Sequence, residues 1–422
     1  MAHVQLHRLT LVMIALPAAR ASRASPPQFR LWRAGSSLAP AHQTHPAADH
    51  AGEVTSWEGL PGWRASPVDE RRQWGTKGPL APASPPLDPS LATTSDDHAP
   101  AAWAGPPPLS LADCARRVLL TADPAAKAAL SHAGWAAYKA GAIPVGVAAA
   151  PDRPSRPPLP ALVPAREVPT LKRSGLALNV HCLHTLAHVE LNAVDLAWDT
   201  VARFSPLRLP EQFYADFARV ADDESRHLSW CLQRLRELGS CYGAMPAHDL
   251  LWQGCAASAG DVRARLAVVP MSQEARGLDA GQRLSERLVG FGDNASAALV
   301  ARIAAEERAH VAVGVAWFTA ICAAEGDADP GRTFAALVHA HAPDLLSGFF
   351  NHAARQEVGL RRDWYEEAEW PEGVRAVVVA GAAAGAAAAA GGLGAGGGAL
   401  AAGELRRRLE GMLRAELQAA GG

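Results

Sequence analysis

The chain has 422 residues, a formal net charge of −2, 49% hydrophobic residues and six cysteines. A near-neutral charge balance excludes the global basic field on which bulk nucleic-acid binding depends. Outside one Ala/Gly tract there is no run of about eighteen apolar residues, so no membrane span is expected.

The first fifty residues carry Arg8, Arg20, Arg23, Arg30 and Arg33 against a single acid, Asp49. That composition resembles an organellar transit peptide for chloroplast or mitochondrion, with a secretory signal over Leu9–Ala19, a wrongly extended gene start and a cytoplasmic location as alternatives. Residues 1–108 hold half of the 32 prolines and no long apolar periodicity, and read as a disordered or targeting segment. Asp123-Pro124 then opens a helix, Asp as N-cap and Pro at the first helical position, running to about Ala140. Residues 143–170 are dotted with proline and read as an extended strap over the surface, so that 109–170 is a helical arm followed by this strap.

Four long helical patterns follow over about 174–203, Pro210 to Gly239, 260–289 with Pro270 inside, and Asp293 or Asn294 to about Gly326. The first two and the last two are joined by short turns. A longer crossing over 240–259 separates the pairs and contains a short helix, Asp249–Ser258, with Asp249 as its expected cap. Further helices are expected over 330–341 and 345–360. Residues 379–402 are almost pure Ala and Gly, and 403–420 is an amphipathic tail. Alternating strand patterns are absent from 171–365, which predicts an all-α protein: a ferritin-like four-helix bundle over 171–375, with extra N-terminal helices, the Pro-rich strap, and a low-complexity tail over 376–422 ending in a short helix.

Two sequence pairs inside these patterns carry the chemistry. Glu224-x-x-His227 and Glu307-x-x-His310 each follow a lone glutamate, Glu190 and Glu274, at offsets of 34 and 33 residues. At about 100° per residue, Glu224 and His227 fall in the stripe of Phe213, Phe217, Val220, Cys231 and Leu235. Glu307 and His310 share a stripe with Val300, Ile303, Phe318 and Ile321, and Glu190 lies among Leu183, Leu186, Val194 and Val201. Solvated glutamates would sit on the opposite faces. Four buried carboxylates need strong compensation, and two divalent cations supply +4 against −4 with both histidines neutral. One Glu from each of two helices and a Glu-x-x-His pair from each of the others is the ligand set of a dinuclear carboxylate bundle. Oxygen-rich ligands with one imidazole per ion suit two iron ions, two manganese ions or one of each, and not a thiolate zinc site.

Glu274 has the least certain register, with Pro270 four residues before it. Glu306 points about 100° away from Glu307, toward solvent or the outer side of the ligands. Asp223 and Arg226 flank the first pair, either as an outer layer in which Asp223 accepts from a ligand imidazole or as a surface ion pair. His188 lies on the far face from Glu190 and reads as an interface or structural residue, not a ligand. The cysteines at 114, 182, 231, 241, 255 and 322 include no C-x-x-C pair and are expected to be free thiols, which fits a reducing compartment.

The order Glu, about thirty residues, then Asp-Glu-x-Arg-His resembles the half-motif of bacterial multicomponent monooxygenases, acyl desaturases and related di-iron oxygenases, although the second half carries Glu306 and Ala309 where that motif has Asp and Arg. More of the chain resembles the ferritin-like family catalogued as domain of unknown function 455. The resembling stretches are Thr121–Lys127, Ala187–Asp195, Phe213-Tyr214 through Asp223–His227, Pro246–Asp249 with Trp252, Val269-Pro270 through Glu274–Asp279, His310–Gly314 with Trp317-Phe318, and Phe350-Asn351 with Ala354-Arg355. The resemblance implies a ferritin-like fold and a dinuclear metal site, and it implies no reaction. The expected function is an O2-activating oxidoreductase with a small-molecule substrate and O2 as partners. With no Gly-rich nucleotide motif in the chain, its electrons would come from a separate donor protein. The alternatives are iron handling of the ferroxidase kind and a non-catalytic binding module.

Overall fold

The computed structural model describes residues 57–67, 72–75, 106–370, 375, 378 and 402–420. The expected targeting peptide within the first fifty residues, and most of the Ala/Gly tract, lie outside the described residues. Thirteen helices up to residue 370 are labelled in chain order among them. Three precede the strap: α1 (Leu60–Ala65), α2 (Leu111–Leu119) and α3 (Pro124–Lys139). Past the strap, α4 (Leu171–Ser174) leads to the long pair α5 (Leu178–Phe204) and α6 (Glu211–Glu237). The crossing carries α7 (Leu250–Ala257) and α8 (Val262–Val268), and the second long pair is α9 (Ala275–Phe291) and α10 (Asn294–Glu325). Then come α11 (Pro330–His341), α12 (His352–Glu357) and α13 (Arg362–Tyr365), and a C-terminal helix covers Ala402–Ala420. Among the described residues there is no strand, only a single bridge between Leu162 and Ala247. No single described helix is long and apolar enough to cross a membrane.

The local chemistry explains where the helices start and stop. Asp123 accepts from the Ala126 amide and Pro124 occupies the first turn of α3, as the sequence predicts. Asp293 likewise accepts from the Ser296 amide at the start of α10. The first long helix begins at Leu178 and not near 174, because Gly175 sits at φ 70° and ends the short α4. α5 packs along α6, and α9 along α10. Leu183, Leu191, Val194, Phe213, Phe217, Leu228, Val311 and Phe318 are all buried in one continuous core. The strap crosses α5: Arg156 pairs with Asp195 at 2.8 Å, and Arg203 donates to the Pro151 carbonyl at 2.9 Å.

Several expectations need correction. Residues 1–108 are not uniformly disordered, because α1 and residues 72–75 pack on α6. The helix expected over 260–289 is three pieces, α8, a π-helical turn over Val269–Glu274, and α9. Pro270 has no N–H to donate, and the wider turn accommodates its ring. The helix expected over 345–360 shrinks to α12, because Gly348 (φ 109°) and Gly359 (φ 82°) bracket it and Asn351 caps it. Asp249 stands before α7 but its side chain makes no cap bond; it pairs with Arg153 of the strap. The six cysteines are free, as expected, with Cys182 and Cys241 only partly buried.

Candidate metal centre

Glu190 on α5, Glu224 and His227 on α6, and Glu307 and His310 on α10 are all buried at mid-helix. Each interrupts an apolar stripe of its own helix, so the packing that forms the core also brings these five of the six predicted ligands together. Glu190, Glu224, His227 and Glu307 each offer one ligand atom, and these atoms lie within 4.8 Å of one another. The imidazoles face each other with ring centres 5.8 Å apart.

Two glutamates reach both rings. Glu224 places Oε2 3.3 Å from His227 Nδ1 and Oε1 2.8 Å from His310 Nδ1. Glu307 places Oε1 3.6 Å from His227 Nδ1 and Oε2 3.4 Å from His310 Nδ1. Glu190 serves one side only, with Oε2 3.4 Å from His227 Nδ1. Glu274 ends the π turn and shares the wall of one cavity with Glu190, Glu224 and Glu307. The turn carries it there despite Pro270, whose ring is seated against Gly314: a Cβ on that glycine would lie 2.6 Å from Pro270 Cβ.

Each imidazole turns its other nitrogen outward to a carboxylate on the opposite helix. His227 Nε2 lies 2.8 Å from Glu306 Oε2 on α10, and His310 Nε2 lies 3.4 Å from Asp223 Oδ2 on α6. Arg226 joins the two outer carboxylates, donating to Asp223 at 3.0 Å and to Glu306 at 2.7 Å. Asp223 and Arg226 are therefore buried parts of this layer, not a surface ion pair. Such partners fix which ring nitrogen is free to ligate, here Nδ1. Glu306 was expected to face solvent or the outer side of the ligands, and it takes the second of these. It precedes His310 by four residues as Asp223 precedes His227, so the two carboxylates are placed alike on their helices. Trp63 was missed: its indole donates to Asp223 Oδ2 at 3.1 Å from a proline-rich stretch with no helical periodicity. His188, by contrast, is structural, held by the Tyr242 hydroxyl and the His248 carbonyl, both at 2.7 Å.

Electrostatically, the cluster is poised for cations. Burial first, then repulsion from Glu224, pushes the carboxyls of Glu190 and Glu307 above their usual range and raises Glu274 to about 8. Burial opposes charge on His227, yet its hydrogen bonds to Glu190, Glu224 and Glu306 hold the imidazolium well above its ordinary range. His310 is raised in the same way, against burial, by the charges of Glu224 and Glu307. Burial also works to raise Glu306, but the hydrogen bond and charge of His227 and the charge of Arg226 bring it down to about 2. Protons thus stand where positive ions would relieve the same repulsion. The residues also fit metal by what they leave unsatisfied. Glu274 Oε2 is buried with no hydrogen-bond partner, while Glu224 Oε1 and His310 Nδ1 form an ion pair 2.8 Å apart. A cluster of carboxylates that merely hydrogen-bonded one another would not strand the Glu274 oxygen. This buried group can hold a metal ion.

The carboxylates open onto an apolar cavity of about 80 Å³, walled by Leu186, Val189, Leu196, Leu251, Leu284, Val300 and Ile303. Gly277 and Gly281 let α9 lie close to α10 beside it. A Cβ at Gly281 would meet Ala304 Cβ at 2.5 Å, and one at Gly277 would meet Glu307 Cγ at 3.2 Å.

No solved structure matches the chain significantly. An uncharacterized protein of Haemophilus influenzae is 35% identical over 223 residues, which cover 50% of this chain and 76% of that one. The family model described as "Protein of unknown function (DUF455)" matches residues 120–366, which span α3 through α13 and every predicted ligand, and the chain belongs to that family.

Proposed function

We propose that the chain is a ferritin-like four-helix bundle that binds two iron ions (or two manganese ions, or one of each) and serves as an O2-activating oxidoreductase for a small organic substrate. The observation that carries the reading is the reach of Glu224 and Glu307, each with one oxygen toward either imidazole Nδ1. Glu190 with His227 would hold one ion and Glu274 with His310 the other, while Glu224 and Glu307 would be shared. Four carboxylates and two neutral imidazoles balance two divalent ions. When bound, the ions supply the redox capacity to bind and reduce O2.

The chain's own residues do the rest. Glu306 and Asp223 accept from the outer nitrogens of His227 and His310 and so keep both Nδ1 atoms turned inward. Arg226 neutralises these two carboxylates and holds them in place. The leucines, Val189, Val300 and Ile303 keep water from the inner carboxylates and leave an apolar space beside them. That space favours an organic substrate over iron storage, because a path for hydrated iron would be polar. Electrons would reach the centre from a separate donor protein.

Protein purified without added metal is expected to carry about two ions per chain by elemental analysis. After anaerobic loading with Fe(II), it is expected to consume O2 and develop near-ultraviolet absorption. Bound metal with no O2 uptake would remove the oxidoreductase reading. Turnover of many iron atoms per chain would replace it with iron handling.

A further inference from the structure

The segment around α1 makes contacts that its composition does not explain. Arg64 forms a two-pronged pair with Asp216 on α6, with nitrogen–oxygen distances down to 2.6 Å, and Trp317 of α10 donates to the same carboxylate at 2.8 Å. Arg219 of α6 donates to the carbonyls of Arg64 and Ser66 at 3.1 and 3.0 Å, and its guanidinium lies 4.6 Å from the centre of the Trp63 ring. Farther along, the Trp74 amide donates to Gln233 at 2.8 Å. Charged, directional contacts therefore fix Trp63 from several sides across some 150 positions of sequence. The indole N–H then falls on Asp223 Oδ2, the same oxygen that faces His310 Nε2.

We infer that Trp63 is a positioning residue of the metal centre, and that the segment carrying it belongs to the functional protein. The inference rests on the metal-binding reading of Proposed function and adds a residue to it. An Asp223 carboxylate held only by Arg226 through Oδ1 is free to pivot about that contact. With Trp63 on Oδ2, the oxygen is held where His310 Nε2–H can donate to it, which leaves His310 Nδ1 as the ligating atom. Trp63 touches neither an ion nor a substrate; it acts through Asp223 and His310. N-terminal processing that removed α1 would strip the centre of this support, so any cleavage is placed ahead of α1.

The test is an anaerobic Fe(II) titration of full-length wild type and Trp63→Phe against a chromogenic chelator. Trp63→Phe keeps a ring for Arg219 and removes only the donor. The expected result is two ions in both proteins, with one of them bound about tenfold more weakly in the variant. Trp63→His, which returns a ring N–H, is expected to regain most of that loss. A packing role alone would weaken both ions alike and would not be rescued by His. In case Trp63→Phe does not fold, wild type supplies a second measurement: amide exchange of residues 60–66 should slow when Fe(II) binds. Wild type that takes up no Fe(II) overturns the metal centre and this inference together. Wild type that binds two ions, with unchanged affinities in Trp63→Phe or unchanged exchange of α1, overturns this inference alone.

Discussion

At the residue scale, five of the six inner groups hold protons more tightly in the metal-free fold than in the unfolded chain. Glu274 is raised from 4.5 to about 8 by burial and by the charge of Glu224, and Glu190 and Glu307 move in the same direction. His227 and His310 are also raised, from 6.5. For a raised group the stabilisation is complete below its unfolded pKa and is lost as pH climbs through the folded one. Glu224 and Asp223 run the other way: burial opposes them, but the neighbouring histidines, with Arg226 at Asp223, depress them. Their contribution is present above about pH 4.5 and disappears as pH falls. Above about pH 6.5, where the unfolded chain has given up these protons and the fold still holds them, chelator-treated protein is therefore expected to melt progressively lower toward pH 8.5. Metal should reverse that alkaline decline and bind more tightly as pH rises, with protons released. Thermal melts across this range, with and without Mn(II), check it, and a flat metal-free profile would contradict it. The shared and unshared glutamates separate too. Glu307→Ala is expected to retain almost no metal and Glu190→Ala about one ion per chain by elemental analysis. Glu190, Glu224, His227, Glu307 and His310 were legible in the sequence as candidates because each lies in an apolar stripe, a property of one helix at a time. What lies across from a side chain is not such a property, and so Glu306, correctly placed 100° from Glu307, had no visible partner until α6 stood beside it.

At the element scale, the π turn decides where Glu274 points. A π turn carries one residue more than the α turn it replaces, so deleting Ser272 should restore α-helical continuity and swing Glu274 by about 100°. Far-ultraviolet circular dichroism is expected to stay unchanged while the ion beside His310 is lost. Two glycines in helices give opposite expectations from one substitution. Gly290→Ala meets nothing within 4 Å and should stabilise by up to about 1 kcal/mol through helix propensity. Gly314→Ala gains the same propensity, but its Cβ would stand 2.6 Å from the stiff Pro270 ring. Overpacking wins there, for a net loss of about 1–3 kcal/mol in urea denaturation. Helix starts at Asp123 and Asp293 were readable because caps are local chemistry. The π turn was not, since hydrophobic spacing marks a face and is blind to one inserted residue. The helix expected over 345–360 was too long for a related reason: Phe349 and Phe350 meet Arg283 and Arg276 of α9, and Phe350 meets Tyr365 of α13, from irregular backbone, which periodicity reads as helix.

At the scale of the whole molecule, the all-α character followed from the lack of alternating patterns. The docking of α1 did not, because ion pairs such as Arg64–Asp216 leave no mark on local periodicity. The cavity beside the glutamates has a consequence of its own. At about 80 Å³ it is far below the few hundred Å³ of a site that swallows a whole drug-sized molecule. Gly281 already brings α9 within a methyl's breadth of Ala304, so the helices leave little room for it to grow. For the proposed oxidation, only the tip of a longer compound crosses the threshold while its bulk stays outside. Regiochemistry then follows from reach, and the first product should bear its new oxygen or double bond at a terminal carbon or the one beside it.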